Sequence, residues 1–170
     1  MAKFLTLNTH SWMEEEQESK LNQLAERILQ EKYDVICLQE VNQLVESEQV
    51  VQAPFYYAVD GAIPIHQDHY ALRLVEKLAE AGLDYYWSWA YNHIGFDIYN
   101  EGVAILSRKP LTARELLVSD VNDPTDYHTR KVLLAETELE GQFITVASCH
   151  LSWWDKGTME IGRASCRERV

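Results

Sequence analysis

The chain of 170 residues, 46% of them hydrophobic and 25% charged, suits one globular domain with a sizeable core. Its formal net charge of −12 argues against a nuclease, because nucleic-acid binding usually depends on a basic surface, although a local basic groove is compatible with an acidic total. No run approaches the roughly 18 apolar residues that span a membrane, and the N-terminus lacks a signal peptide's apolar core. We therefore expect a cytoplasmic protein with no membrane partner.

The beginning of the chain predicts a β-α-β unit. Phe4–Leu7 is a short apolar run typical of a strand, and Val35–Leu38 is a continuous apolar run, as expected of a strand covered on both faces. Between them, apolar residues recur at the spacing of an amphipathic helix, at Leu21, Leu24, Ala25, Ile28 and Leu29. The crossover between two such strands is expected to be right-handed.

The remainder predicts one more helix and then strands. Apolar spacing predicts a helix over Ala71–Ala79 that stops at Gly82, after a loop over Val50–Asp68. Five strands follow, the last two joined by a hairpin turn at Glu140-Gly141: Tyr85–Tyr91, Gly102–Leu106, Arg114–Val118, Lys131–Glu138 and Gln142–Ser148. We predict a single α/β domain whose later strands pair mainly as antiparallel neighbours.

Two predicted strand ends carry residues suited to a metal site. The first strand ends at Asn8 and the second at Gln39 and Glu40, and ligands of α/β sheets gather beyond such carboxyl ends. If the strands are neighbours, an amide and a carboxylate converge there. One carboxylate with amide help, and with room for waters and phosphate oxygens, suits Mg²⁺. Spacing alone leaves two other readings open, namely Asn8 as a turn cap and Glu40 as an exposed strand end.

Other polar residues are candidates for phosphate binding. His150 follows the last predicted strand, and Glu101 precedes another strand and could hold that imidazole charged beside a phosphate. Arg130 follows a polar loop, which is a place suited to phosphate contacts, whereas Lys131 is better explained as a solvated charge pair. A structural or surface role is the alternative for each of these residues.

Aromatic residues cluster in two places. The alternation within Tyr85–Tyr91 is typical of a strand with some rings inside and some outside, and core packing explains most of them. Trp153 and Trp154 follow His150 closely, where an aromatic platform would suit a sugar ring or a stacked base equally well.

Four segments of the chain form a set that spans nearly its whole length: LTLN at Leu5–Asn8, LQEVN at Leu38–Asn42, GVAILSR at Gly102–Arg108 and SCHLS at Ser148–Ser152. Together, and in this order, they resemble the endonuclease/exonuclease/phosphatase superfamily. The resemblance implies an α/β fold, a four-layer sandwich of two central β-sheets flanked by helices, of which this chain would hold the first part only.

The resemblance also implies roles for individual residues. Asn8 would support the metal site, Glu40 would bind Mg²⁺ (with Mn²⁺ as the alternative ion), His150 would contact the scissile phosphate, and Glu101 would pair with that histidine. Cys149 stands where the family often has threonine. The family's Asp-x-Asn motif, which helps to orient the water and the leaving group, and its terminal Asp-His pair, which supplies the base, would lie beyond this chain. We therefore expect the fragment itself to be inactive.

The last eleven residues differ in character from the rest of the chain. From Glu160 the sequence reads EIGRASCRERV, with three arginines in eleven residues and no hydrophobic period. It resembles a translated sequencing adapter, so we assign residues 1–159 to the N-terminal part of the domain and residues 160–170 to a non-native tail.

The predicted substrate class rests on the similarity of three segments to one subgroup of this family. The segments Trp87–Asp97, Asp126–Arg130 and His150–Asp155 resemble the bacterial maltose-6'-phosphate phosphatase subgroup. We therefore expect a magnesium-dependent phosphatase of small phosphorylated sugars, with Arg130 and Trp153 contacting the substrate. A DNA-cleaving nuclease is the second hypothesis, because nucleic acid is disfavoured but not ruled out as a partner. A catalytically dead relative that only binds ligand is the third.

Overall fold

The structure is a computed structural model that describes residues 1–151, and the following statements concern that part of the chain. It contains two helices and seven strands in the order β1 (Phe4–Asn8), α1 (Gln17–Glu31), β2 (Val35–Leu44), α2 (Tyr70–Glu80), β3 (Tyr86–Gly95), β4 (Tyr99–Ser107), β5 (Leu111–Leu117), β6 (Lys131–Leu139) and β7 (Gln142–Cys149). Every predicted strand and helix is present, most of them one to five residues longer than the pattern indicated at one or both ends.

The first sheet contains four strands in the order β1-β2-β4-β3. β1 and β2 pair in parallel, with Asn8 opposite Gln39, and α1 connects them, which confirms the predicted β-α-β unit. β4 pairs antiparallel with both β2 and β3. The carboxyl ends of β1 and β2 therefore lie side by side, at the edge where the polar residues were expected to converge.

The second sheet is an antiparallel meander of β5, β6 and β7. The turn between β6 and β7 contains Glu140 and Gly141 with φ angles of 50° and 81°. Two consecutive left-handed residues are typical of the turn that matches the twist of a tight hairpin, so the predicted turn is confirmed.

Both ends of α2 are capped. At its start, His69 Nδ1 accepts a hydrogen bond from the Leu72 N–H over 3.4 Å, and the imidazole ring lies between Trp87 and Trp89 with ring centroids 5.1 and 4.7 Å away. At its end, Gly82 has a φ of 80°, and the N–H groups of Gly82 and of the next residue donate back to carbonyls of the last turn over 2.9 Å each. This left-handed ending is the one that the glycine predicted.

Alternation along the strands of the first sheet separates two cores. In β2, Ile36 and Leu38 pack on the helix side, while Val35 and Cys37 face the second sheet. The same division holds for β3, whose Trp87 and Trp89 are 0% and 1% exposed on the helix side. The aromatic run of β3 is thus mainly core, as expected.

These layers bear out the predicted fold class, since two β-sheets pack face to face and helices cover the first of them. That this chain is only the first part of a larger sandwich stays a prediction. Residues 160–170, the predicted tail, and Trp153 lie outside the described residues. Neither described helix is long and apolar enough to cross a bilayer.

Candidate active site

A β-bulge presents Glu40 at the edge of the first sheet. Leu38 pairs with Ala104 and Val41 with Gly102, so two residues of β2 face a single residue of β4 between these pairs. Glu40 has a φ of 51°, in the left-handed region, and a bulge is where such a conformation lets a strand redirect one side chain. The carboxylate therefore leaves the regular alternation of β2, while Leu38 and Val41 on either side stay 0% exposed.

Hydroxyl groups from the loop after β1 hold the backbone of this bulge. Ser11 Oγ donates to the Glu40 carbonyl over 2.6 Å, and Thr9 Oγ1 donates to the same carbonyl over 2.9 Å. Ser11 Oγ also accepts the Asn42 N–H over 2.9 Å, and the Asn42 side chain donates to the Ser11 carbonyl over 2.8 Å. Because Ser11 and Asn42 are both buried, this network fixes where the Glu40 side chain starts.

Asn8 and Glu40 meet as the sequence predicted. Asn8 Nδ2 donates to Glu40 Oε1 over 2.8 Å, while Asn8 Oδ1 accepts the backbone N–H of His10 over 3.0 Å. The His10 ring lies 3.0 Å from Glu14 Oε1. Asn8 thus closes the turn after β1 and orients the carboxylate at the same time, so its cap role and its site role coexist.

Glu101 lies at the centre of a buried polar cluster. A second bulge, in β3 between Tyr91 and His93, places His93 directly opposite Glu101 in the sheet. His93 Nε2 is 3.6 Å from Glu101 Oε1, and Arg130 NH1 is 3.6 Å from the same oxygen. The three residues are between 3% and 9% exposed. Cβ of Gly95 would stand 3.1 Å from Glu101 Oε2, so the glycine leaves room for this carboxylate.

His150 reaches the same cluster from the end of β7. Its Nε2 is 3.6 Å from Glu40 Oε1, and its Nδ1 is 4.0 Å from Glu101 Oε1. The structure therefore brings together Asn8, Glu40, Glu101, Arg130 and His150, which are the described members of the predicted set. Trp153, the remaining predicted substrate contact, lies outside the described residues.

The surroundings of His150 act against the charged state that the sequence suggested. Burial lowers the pKa of this imidazole, and the neighbouring Arg130 guanidinium lowers it further, while Glu40 opposes them only in part. Burial and Arg130 likewise lower the pKa of His93 to about 4. The sequence suggested that a carboxylate would hold His150 charged. Burial of the imidazole and the charge of Arg130 act against that expectation.

The two carboxylates of the site also influence each other. Burial raises the pKa of Glu101 above its ordinary value, and the negative charge of Glu40 raises it further, although Arg130 acts in the opposite direction. Two carboxylates of like charge near one cavity favour a bound cation. Lys131, next to Arg130 in sequence, plays no part here, because its Nζ pairs with Glu115 Oε1 over 2.6 Å across β5 and β6. It is the predicted charge pair, though a half-buried one.

A cavity of about 530 Å³ opens over this cluster. Its walls contain Glu40, Glu101, Arg130 and His150 and six residues that we had not predicted as site residues: His10, His93, Gly95, Phe96, Tyr127 and Leu151. The position of His93 depends on the β3 bulge, which periodicity does not reveal. His10 had a weak signal, because it follows Asn8 in the polar end of the first strand.

The residues of the cavity fit a divalent cation together with an anion. Glu40 offers a single carboxylate, oriented by the Asn8 amide, which suits Mg²⁺ bound mainly through waters and substrate oxygens. Within residues 1–151, no group of three or more acidic, histidine or cysteine residues is arranged as a closed metal cage. Among residues 1–151, Arg130 Nε, Arg130 NH1 and His150 Nδ1 are buried without a hydrogen-bond partner, and the buried guanidinium donors call for an acceptor.

Comparison with known proteins identifies the family of this chain. The model of the Endonuclease/Exonuclease/phosphatase family matches residues 12–163. The chain belongs to this family. Members of the endonuclease/exonuclease/phosphatase family are typically metal-dependent hydrolases, which generally use divalent ions such as Mg²⁺. The match extends over residues 160–163, and the boundary proposed at residue 159 stays a prediction.

Solved structures of the same family resemble the chain. A family protein from Leptotrichia buccalis C-1013-b is 32% identical with a TM-score of 0.83, over 100% of this chain and 62% of that protein. An endonuclease/exonuclease/phosphatase from Beutenbergia cavernae DSM 12333 is 18% identical with a TM-score of 0.57, over 90% of this chain and 38% of that protein, which bears on the fold alone. The chain thus spans less than two thirds of either protein. No curated protein matches at a significant level.

Proposed function

We propose that the cavity binds the phosphoryl group of a phosphate monoester, and that the protein is a magnesium-dependent phosphatase of small phosphorylated sugars. The observation that carries this proposal is that carboxylates and buried hydrogen-bond donors line the same cavity. Glu40 and Glu101 favour a cation, while Arg130 and His150 hold buried donors without acceptors. A phosphate bound together with a divalent cation satisfies both sides at once.

Each residue then has a defined task. Glu40, oriented by the Asn8 amide, would hold the ion, which on binding would neutralise the charge that develops on the phosphoryl oxygens. Arg130 and His150, which line the same cavity, would donate to those oxygens. Glu101 would keep Arg130 in place through their contact of 3.6 Å. Glu101 and Asn8 are thus positioning residues, while His150 contacts the substrate.

The reaction is the hydrolysis of a phosphate ester. Water attacks phosphorus in line with the ester oxygen, one P–O bond forms as the other breaks, and the sugar leaves as an alcohol with the proton balance supplied by that water. The base that takes the water's proton is not assigned to any residue of the described site. By family resemblance it lies in a continuation of the chain, which is part of this proposal.

The sugar substrate rests on charge and on aromatic side chains. A formal net charge of −12 disfavours a long polyanion as the substrate. Arg130 is the single arginine or lysine among the described residues lining the cavity, which suits one phosphate group rather than a phosphodiester backbone. We also propose Trp153 as a substrate contact, on the sequence argument alone.

The deciding experiment measures binding and turnover separately. In the 170-residue chain, titration calorimetry should detect inorganic phosphate binding with Mg²⁺ present, and this binding should disappear with a chelator. Glu40→Gln should abolish the Mg²⁺ dependence, whereas Glu26→Gln, an exposed carboxylate on α1, should behave like the parent. Phosphate binding that is unchanged in Glu40→Gln at saturating Mg²⁺ would remove Glu40 from the metal site.

Turnover is tested on the longer gene product that the sequence predicts. Phosphate release from maltose phosphate is compared with nicking of plasmid DNA, each with and without chelator. Nicking without phosphate release would favour the nuclease hypothesis. Metal and phosphate binding without either activity would favour a relative that only binds ligand.

A further inference from the structure

Two aromatic rings stand exposed at the mouth of the cavity, and we call them the aromatic rim pair, Phe96 and Tyr127. They are 70% and 58% exposed, yet both line the cavity over the Glu101 cluster. Burial of a large aromatic side chain stabilises the folded state by about 1.5 to 3 kcal/mol relative to leaving the ring exposed. Core packing explains the position of neither ring, so their exposure at the mouth of a polar cavity needs another explanation.

The backbone at Phe96 strengthens this point. Phe96 and Asp97 form the tip of the hairpin between β3 and β4, with φ angles of 53° and 61°. Such turns favour asparagine and glycine, because a side chain in the left-handed region costs about 1 to 2 kcal/mol. A phenylalanine here carries both this conformational cost and the cost of exposure, and a costly residue beside a candidate active site suggests a functional role.

The loop that carries Tyr127 is held in one shape by its own hydrogen bonds. Thr129 Oγ1 donates to the Asp123 carbonyl over 2.6 Å and accepts the Asp123 N–H over 3.0 Å. The Tyr127 ring packs on the ring of His128, with centroids 4.0 Å apart, and His128 Nδ1 lies 2.7 Å from Asp126 Oδ1. The aromatic face is therefore ordered before any ligand arrives, which lowers the entropic cost of binding.

The two rim segments are also tied to each other and to the site. The Ile94 N–H, two residues before Phe96, donates to the carbonyl of Pro124 over 2.7 Å. His93 Nδ1 lies 3.3 Å from the Thr129 carbonyl, and the next residue after Thr129 is Arg130. The rim pair and the donors proposed for phosphate thus belong to one connected framework, in which a ring at the rim has a fixed position relative to a phosphate below.

We infer that the aromatic rim pair forms a subsite for the neutral carbohydrate ring of the substrate, with the ring's C–H face against Phe96 and Tyr127. This inference rests on the proposed function, because it takes the phosphate to be bound at Arg130 and His150. The pair carries no charge, and the cavity of about 530 Å³ lies within the range of about 300 to 1,000 Å³ that is usual for small-molecule sites. Aromatic faces bind such an apolar surface while the hydroxyl groups stay in water.

Binding in the presence of Mg²⁺ tests this subsite. The probes are inorganic phosphate, glycerol phosphate, maltose phosphate and thymidine monophosphate, each titrated into the parent chain and its variants. We expect maltose phosphate to bind more tightly than glycerol phosphate. Phe96→Ala and Tyr127→Ala should each weaken maltose phosphate binding about five- to tenfold, which is about 1 to 1.4 kcal/mol. Inorganic phosphate should bind these variants within about twofold of the parent.

Three variants serve as controls. Phe96→Tyr and Tyr127→Phe keep an aromatic face and should retain most of the affinity for maltose phosphate. Phe143→Ala removes a phenylalanine that is 85% exposed on β7 and does not line the cavity, so it should have no effect.

The outcomes separate this inference from the proposed function. If the parent binds no phosphate with Mg²⁺, the proposed function fails and the subsite falls with it. If phosphate binds but maltose phosphate gains nothing over glycerol phosphate, the subsite alone is overturned. The same holds if the alanine variants weaken inorganic phosphate as strongly as the sugar phosphate, or if thymidine monophosphate binds more tightly than maltose phosphate.

Discussion

Replacement of Gly102 by alanine gives the sharpest test of how the two bulged strands pack around the site. Gly102 in β4 pairs with Val41 on one side and Tyr91 on the other, next to both bulges. A Cβ there would stand 2.2 Å from the carbonyl oxygen of Ala90 and 2.5 Å from Nε1 of Trp89. Because a carbon and a carbonyl oxygen normally approach to no less than about 3.3 Å, β3 and β4 must separate by roughly 1 Å.

The expected cost follows from these contacts. Overpacking of a well-filled interior costs about 1 to 3 kcal/mol. Displacement of Trp89 also weakens the hydrogen bond of 3.2 Å from its Nε1 to the Val41 carbonyl, and a buried donor left without a partner costs about 1 to 3 kcal/mol. Removal of a glycine from a strand returns about 0.5 to 1 kcal/mol. We expect Gly102→Ala to lower the free energy of unfolding by about 2 to 4 kcal/mol.

Urea unfolding followed by tryptophan fluorescence measures this change, since Trp87 and Trp89 are buried in the folded chain. Gly61→Ala is the matched control, because Gly61 has a φ of 75° and nothing within 4 Å of the added Cβ. It reports the cost of the left-handed backbone alone, about 1 to 2 kcal/mol. A loss in Gly102→Ala no greater than that in Gly61→Ala would refute the clash and the strand separation.

Three further predictions concern stability and the bulge. Burial, and to a lesser degree His66, lowers the pKa of His69 to about 3, so the unfolded chain takes up this proton near pH 6.5 and the folded chain does not. The contribution of His69 to the free energy of unfolding is therefore complete above pH 6.5 and decreases as the pH falls toward 3. His69→Asn keeps a capping acceptor but removes this titration. Its free energy of unfolding should therefore fall by about 2 kcal/mol less than that of the parent between pH 7 and pH 5. Ser11→Ala should cost about 1 to 3 kcal/mol in urea unfolding and weaken Mg²⁺ binding, since it removes the hydroxyl that holds the Glu40 carbonyl; unchanged metal affinity would limit Ser11 to a structural role. Gly82→Ala should lower the thermal midpoint through a cost of about 1 kcal/mol at its left-handed position, and an unchanged midpoint would mean that the helix ends in another way.

Much of the fold follows from patterns that act within a few residues. The helices were predicted because apolar residues repeat at the helical period, and the end of α2 because glycine takes the left-handed conformation at low cost. The meeting of Asn8 and Glu40 was predicted because parallel neighbours bring their carboxyl ends to one edge. The helical period and the glycine at the end of α2 act within a few residues, so the sequence shows them directly.

The rest of the site depends on contacts that are distant in sequence. The bulges at Glu40 and near His93 each insert one residue, and no periodic pattern announces where an alternation is interrupted. The exposed ring of Phe96 was missed because its turn lacks the usual glycine or asparagine. The lowered pKa of His150 was not foreseen because it comes from burial and from the charge of Arg130, and both depend on the fold. Roles assigned to site residues stay predictions until tested by substitution.

The bulge in β2 has a consequence for how this chain can change. Leu38 and Val41 are three residues apart, which strict alternation would put on opposite faces, yet both are 0% exposed and contribute to the helix-side core. The bulge lets β2 contribute to the helix-side core both before and after it, while the two residues between them, Gln39 and Glu40, remain outside that core. Members of a family can therefore differ in the side chain at such a bulge while the core packing on either side of it stays the same. Deletion of a single residue at the bulge would restore strict alternation, so Val41 would keep its partner and its face while the strand would lose the irregularity that redirects Glu40.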